Sequence, residues 1–255
     1  MRGTLLASAG LSSLRHPFVD ASSAAIMQRN RSKSVYVICP AFNEARTIAG
    51  VLAGLAGQGY EIVVVDDGSS DGTRRVAETM AMTVISHPVN LGQGAALKTG
   101  IDYALSRGAE FIVTFDTDGQ HRVSDIARLI SALQASGADY ALGSRFLTGE
   151  QRMPLVRRLL LRAATLFTAV STGLRLTDTH NGLRAMTRRG AAALDLRQNR
   201  MAHASEILSE IARSGLAYVE VPVTIDYTEY SLAKGQRAGD FVMILLDLFA
   251  HKLRR

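Results

Sequence analysis

Two carboxylates and a carboxamide stand at alternate positions in Asp116-Thr117-Asp118-Gly119-Gln120, directly after the apolar run Phe111-Ile112-Val113-Thr114-Phe115. Alternate side chains of an extended segment point the same way, so Asp116, Asp118 and Gln120 could share one hard divalent cation through oxygen. A cation held there would grip a diphosphate. The same string is also ordinary turn chemistry, because Asp bonds its own backbone and Gly accepts positive φ. Which reading holds depends on the elements that present the motif.

From Ser34 onward, short β-rich runs alternate with helical periods. Strands are predicted over Val35 to Cys39, Ile62 to Val65, Met82 to Ile85, Phe111 to Phe115, Tyr140 to Gly143 and Tyr218 to Ile225. Between them Ile48, Val51, Leu52 and Leu55 recur at helical spacing, as do Ala96, Leu97, Ile101 and Ala104. Apolar strands joined by crossover helices predict an α/β fold with a doubly wound, mostly parallel sheet and flanking helices, in a single domain. In such a sheet ligand-binding groups gather at the carboxyl ends of strands.

Acidic loops follow three of the predicted strands: Pro40-Ala41-Phe42-Asn43-Glu44, Asp66-Asp67-Gly68-Ser69-Ser70-Asp71-Gly72 and the Asp116 group. Asn43 and Asp71 could equally start helices. A fourth loop, Asn90-Leu91-Gly92-Gln93-Gly94, offers backbone N–H groups to a phosphate or sugar at a helix start. It is neither a dinucleotide fingerprint, since Leu97 stands where the last Gly belongs, nor a phosphate loop ending in Gly-Lys-Ser/Thr.

The chain has 255 residues, 47% hydrophobic and 20% charged, which suits one domain of α/β size. The lone Cys39 excludes an internal disulfide and a Cys-based zinc cluster, and points to a reducing compartment. A net charge of +6 implies an anionic partner: nucleic acid, acidic lipid or a phosphorylated substrate. Nucleic acid ranks last, because the basic residues lack interleaved aromatics and there is no Trp. No apolar stretch is long enough to cross a bilayer. Residues 1–33, rich in Ser, Ala and Arg, read as a poorly ordered extension, with Met27 the expected start of translation.

Taken in order, Val37 to Glu44, Val63 to Thr73, Asn90 to Gly94 and Asp116 to His121 resemble the signature of inverting family 2 glycosyltransferases with the GT-A fold, nearest the dolichyl- or polyprenyl-phosphate sugar synthase branch. The resemblance runs from about Val35 to Ile225. It implies that Pro40, Phe42, Glu44, Asp66 and Asp67, with Gly92 and Gly94, bind a nucleotide-sugar donor. It further implies that Asp116, Asp118 and Gln120 hold Mg²⁺ or Mn²⁺ on the donor diphosphate, with Asp116 and Asp118 the catalytic pair. A metal there neutralises charge developing on the leaving diphosphate.

Downstream, Gly143-Ser144-Arg145-Phe146 resembles the family's Ser-Arg-aromatic segment, which puts Arg145 toward an acceptor phosphate. Arg157, Arg158 and Arg162 lie on an apolar helical stretch from Pro154 to about Thr172, where Arg158 and Arg162 are the expected acceptor-binding residues. That helix departs from the branch: Leu161 stands where a Ser is usual, and His180-Asn181 replaces a usual Ser-Gly pair. Glu206 aligns with an acid near the donor sugar and would serve as general base toward a hydroxyl acceptor, whereas a phosphate acceptor needs none. His121 and His203 are not expected to bind metal. Lys234 and Arg237 resemble a basic lid over the donor diphosphate.

The expected domain runs over 34–235, followed at 236–255 by an amphipathic helix with a basic end, suited to lie on a membrane or to dock on its own domain or a homodimer partner. The resemblance therefore implies a metal-dependent, inverting glycosyltransferase that moves a sugar from a nucleotide-sugar donor to a membrane-linked or envelope acceptor, either a lipid such as polyprenyl phosphate or a glycan, acting in the cytoplasm or at the inner face of the cytoplasmic membrane. Two alternatives stand: a nucleotidyltransferase that makes nucleotide sugars, and a noncatalytic nucleotide- or membrane-binding module.

Overall fold

Seven short strands pair as the alternating pattern requires. The computed structural model describes residues 34–80, 83–147, 155–197 and 203–226, with the backbone alone at 155–162, 164 and 203. The N-terminal extension, the loop bearing Lys234 and Arg237, and the C-terminal helix lie outside the described residues.

The strands are β1 (Val35–Ala41), β2 (Glu61–Asp66), β3 (Thr83–Ser86), β4 (Phe111–Thr114), β5 (Tyr140–Ser144), β6 (Arg184–Thr187) and β7 (Tyr218–Pro222). They form one sheet in the order β3-β2-β1-β4-β6-β5-β7. Pairings β1/β2, β1/β4, β2/β3 and β5/β7 are parallel, and β6 runs antiparallel to both β4 and β5. The mostly parallel sheet expected from the sequence is thus present, with one strand the sequence did not reveal. Arg184-Ala185-Met186-Thr187 is too short and too polar at its ends to stand out as a strand, and only its neighbours define it.

The helices are α1 (Ile48–Leu55), α2 (Thr73–Thr79), α3 (Gln93–Ser106), α4 (Ser124–Ser136), α5 (Leu155–Thr172), α6 (Arg188–Ala192) and α7 (His203–Ser214). Strand alternation divides the core into two layers. Val37, Cys39, Val64, Val113 and Ala185 meet Ile48, Leu52 and Leu55 of α1 and Ile126, Leu129 and Leu133 of α4. On the other face Ile38, Val63, Val65, Ile112 and Met186 meet Ala96, Leu97, Ile101 and Ala104 of α3 and Ile207, Leu208 and Ile211 of α7. Gly100 lets α3 come this close, since a Cβ there would lie 2.3 Å from Ile38 Cγ2.

Burying a strand on both faces means that side chains leave the core only at its ends. The parallel strands β1, β2 and β4 therefore deliver their following loops to one rim. β6 begins at that rim, because its first residue Arg184 pairs with Thr114 near the end of β4 and with Leu142 of β5. Among the described residues no helix is long and apolar enough to cross a membrane.

Candidate active site

The chain leaves β4 through Phe115, whose N–H donates to the Ile38 carbonyl at 2.9 Å, and Phe115 stays buried. Thr117 turns inward and its Oγ1 donates to the Pro40 carbonyl at 2.9 Å. With that residue tied down, Asp116 and Asp118 on either side remain half-buried, and Gly119 closes the turn at φ 79°. Gln120 donates twice to Asp118, from its backbone N at 3.0 Å and from Nε2 at 2.7 Å. Burial, and then the charge of Asp116, push the Asp118 carboxyl above its ordinary value, and Glu44 adds to the effect.

Asp116 is held by residues given no role in the sequence. Gln93 Nε2, at the start of α3, donates to Oδ1 at 2.9 Å, and His121, whose side chain is 4% exposed, has Nε2 3.2 Å from Oδ2. The closest constraint is Gly182: a Cβ there would lie 2.1 Å from Asp116 Oδ2. His121, expected not to be a metal ligand, thus stands beside the motif as a partner of Asp116. Its Nδ1 is buried with no hydrogen bond.

The first two loops are stitched to each other. Asn43, in the left-handed region at φ 54°, receives Ser70 N–H on Oδ1 at 2.9 Å and donates its own N–H to Ser69 Oγ at 2.9 Å. Asp71 receives Ala45 N–H at 3.1 Å and Thr73 N–H at 3.0 Å, so its capping of α2 is joined to a second role between loops. Glu44 is buried, while Phe42 is exposed beside it.

Asp66 and Asp67 divide their work. Asp66 receives Ser69 N–H at 3.3 Å. Asp67, also buried, accepts Leu91 N–H at 2.9 Å and Gly92 N–H at 2.7 Å, and His87 Nδ1 lies 2.7 Å away. His87 Nε2 continues to Thr99 Oγ1 at 2.9 Å. Asp67 therefore shapes the glycine loop as an internal anchor. Gly92 is the residue before α3, and Gly94 is buried within its first turn.

Arg145 is buried at the end of β5. Its Nε donates to Asp178 Oδ2 at 2.6 Å and its Nη2 to the His180 carbonyl at 3.0 Å. A buried guanidinium so engaged organises the 177–181 loop, which Glu220 of β7 also fastens through the N–H of Thr177 at 2.8 Å. Asp178 lies 33 positions from Arg145, and nothing in either local sequence foretells the pair. Glu206, in the first turn of α7, accepts Arg197 N–H at 3.0 Å. The side chains of Arg158, Arg162 and His203 are outside the described set.

Past Pro222, which lacks an N–H, the chain continues onto the Asp118 loop. Thr224 N–H donates to the buried Asp125 at 2.9 Å, Ile225 bridges His121, and Asp226 N–H donates to the Gln120 carbonyl at 2.9 Å. Arg122 then grips both Asp226 oxygens at 2.7 Å. Loops from β1, β2, β4 and the start of β6 thus converge on one acidic rim.

Residues 36–193 match the model of Glycosyl transferase family 2. The UDP-N-acetylglucosamine–dolichyl-phosphate N-acetylglucosaminyltransferase of Methanococcus voltae is 33% identical over 239 residues, 85% of this chain and 94% of that protein. The polyprenol monophosphomannose synthase of Mycolicibacterium smegmatis is 31% identical over 216 residues, 80% of each. Among solved structures, glucosyl-3-phosphoglycerate synthase from Mycobacterium tuberculosis, crystallised with Mn²⁺, UDP and phosphoglyceric acid, superposes with a TM-score of 0.62 at 20% identity, covering 91% of this chain and 84% of that one. That likeness concerns the fold, and it agrees with the GT-A architecture expected above. With the strand-end loops in the family's order on a sheet of this topology, the chain belongs to glycosyl transferase family 2.

Proposed function

We propose that this enzyme moves a sugar, with inversion, from a nucleoside-diphosphate donor to a polyprenyl phosphate at a membrane surface. The observation that carries the reading is the pairing of half-buried Asp116 and Asp118 at the end of β4, where burial, and then the charge of Asp116, push the Asp118 carboxyl up. Relatives that act on dolichyl phosphate or make polyprenol monophosphomannose support the acceptor class.

The residues fit a divalent cation. Among the described residues no group of three His, Cys, Asp or Glu could hold one alone, so the candidate donors are Asp116, Asp118 and the Gln120 carboxamide oxygen, whose Nε2 is already spent on Asp118. Excess negative charge in a poorly solvated turn is what a hard cation balances. When bound, Mg²⁺ or Mn²⁺ would neutralise charge on the leaving diphosphate.

The chain's own residues supply the positioning. Gln93 and His121 hold Asp116, Gln120 holds Asp118, and Asp67 sets the glycine loop so that the start of α3 meets the donor side of the rim. An acceptor phosphate oxygen then attacks the anomeric carbon opposite the departing diphosphate, which inverts the centre. This acceptor is already anionic and requires no general base, and Glu206, bonded to Arg197 N–H, fits a supporting role. Membership of the family sets aside the nucleotidyltransferase and noncatalytic alternatives. A screen of nucleotide sugars by thermal shift with Mn²⁺, followed by transfer to a short polyprenyl phosphate and determination of the product anomer, tests the reading. Retention of configuration, or equal use of the dephosphorylated polyprenol, would sink it.

A further inference from the structure

Arg184 is the first residue of β6, 5% exposed, and lies on the rim two residues from Gly182. A guanidinium carries five N–H donors and no acceptor. Among the described residues its side chain makes no hydrogen bond and no ion pair, although the charges of Asp116 and Asp178 both act on it. Both acids are occupied, Asp178 by Arg145 and Asp116 by Gln93 and His121. Burial pushes the guanidinium down to about 10, and the two acids oppose that only in part.

Nearby, a fully buried donor has no partner among the described residues. Asn181 is buried, its Oδ1 accepts Leu183 N–H at 3.0 Å, and its Nδ2 has no partner. The segment between them is fixed, because Thr114 Oγ1 donates to the Gly182 carbonyl at 2.6 Å and a Cβ at Gly182 would strike Asp116. A buried cation without an acceptor is costly, and evolved interiors rarely keep one without use. Among the described residues no acceptor is left for it, and the group that fits a guanidinium here is anionic and rich in oxygen.

We propose that residues 181–184 form an anion-receiving element of the active site, in which the Arg184 guanidinium, with the Asn181 amide, binds oxygens of a phosphate group. The planar fork of Arg suits paired phosphate oxygens better than the point charge of Lys. Two phosphates reach this rim under the function proposed above, on which the assignment rests: the donor diphosphate and the acceptor monophosphate. Either would satisfy Arg184 opposite the acidic pair.

The test uses the full-length protein, with calorimetric titrations of UDP with Mn²⁺, farnesyl phosphate and inorganic phosphate against wild type, Arg184→Met and Arg184→Lys. Arg184→Met is expected to weaken at least one phosphate probe by about tenfold or more, with Arg184→Lys in between; loss confined to UDP assigns the donor, and loss confined to farnesyl phosphate the acceptor. Because the side chain has no hydrogen-bond partner among the described residues, Arg184→Met should melt at or above the wild-type temperature. A wild type that takes none of the probes overturns the assignment. So does an Arg184→Met that binds within twofold of wild type, or one that melts lower or fails to fold, since Arg184 would then be a structural counter-charge. If wild type transfers no sugar to prenyl phosphate while Arg184→Met still loses UDP, the acceptor reading fails and the role of Arg184 stands.

Discussion

Asp116 and Asp118 are two positions apart but differently supported, and their variants should differ accordingly. Among the described residues Asp118 is bonded only within its own turn, by Gln120, so Asp118→Ala removes charge without loosening other elements. Turnover should fall by about a hundredfold or more, the scale of losing one charge-stabilising group, and the thermal shift produced by donor with Mn²⁺ should vanish while the unliganded melting point holds. Undiminished transfer would refute the metal reading. Asp116 instead abuts Gly182, where a Cβ would sit 2.1 Å from its carboxylate. Gly182→Ala must therefore displace either the carboxylate or the start of β6. It should cost about 1–3 kcal/mol in urea unfolding, as overpacking does, and lower kcat far more than that loss of stability explains.

Elements meet through side chains that the local pattern labels as loop chemistry. Asp67 ties β2 to the loop before α3, Asn43 and Asp71 tie the β1 and β2 loops, and Arg145 with Asp178 ties β5 to the loop before β6. On the opposite end of the sheet Asp139, buried before β5, is bonded by Arg189 and by Thr187 Oγ1 at 2.7 Å. The Arg189 bond, with help from Thr187, holds its carboxyl below the ordinary 3.8. A carboxyl depressed on folding adds stability that is fully present above its unfolded value and is lost as pH falls through the folded one. Urea midpoints followed downward from neutral pH should therefore drop below 3.8, and Asp139→Asn should flatten that acid limb. Because Arg189 is largely exposed, the effect is modest and shrinks with salt. An unchanged acid limb in Asp139→Asn would contradict the pairing.

At the scale of the whole molecule, the sheet gathers chemistry at one rim, while α5 leaves Leu166 and Val170, one turn apart, 67% and 74% exposed. Under the acceptor proposed above, such a face is expected to lie against a bilayer. A Leu166→Glu, Val170→Glu double variant should sediment about tenfold less with phosphatidylglycerol vesicles while keeping donor binding, since neither residue is in the core; equal sedimentation would place the membrane contact elsewhere. The sequence alone determined the α/β alternation, the helix faces of α1 and α3, the buried Cys39 and the rim loops from Pro40, Asp66 and Asp116, because each is written in residues close together, where period and turn chemistry act. It could not reveal β6, a four-residue strand defined by pairing with β4 and β5, nor the partners of Asp116. Only the tertiary structure decided that Gln93, His121 and Gly182 converge on that carboxylate, that Arg145 is committed to Asp178, and that Arg184 is buried with no acceptor among the described residues. Most of these contacts join residues tens of positions apart, and even the His121 contact, five positions from Asp116, depends on burial and distance that exist only once the chain has folded.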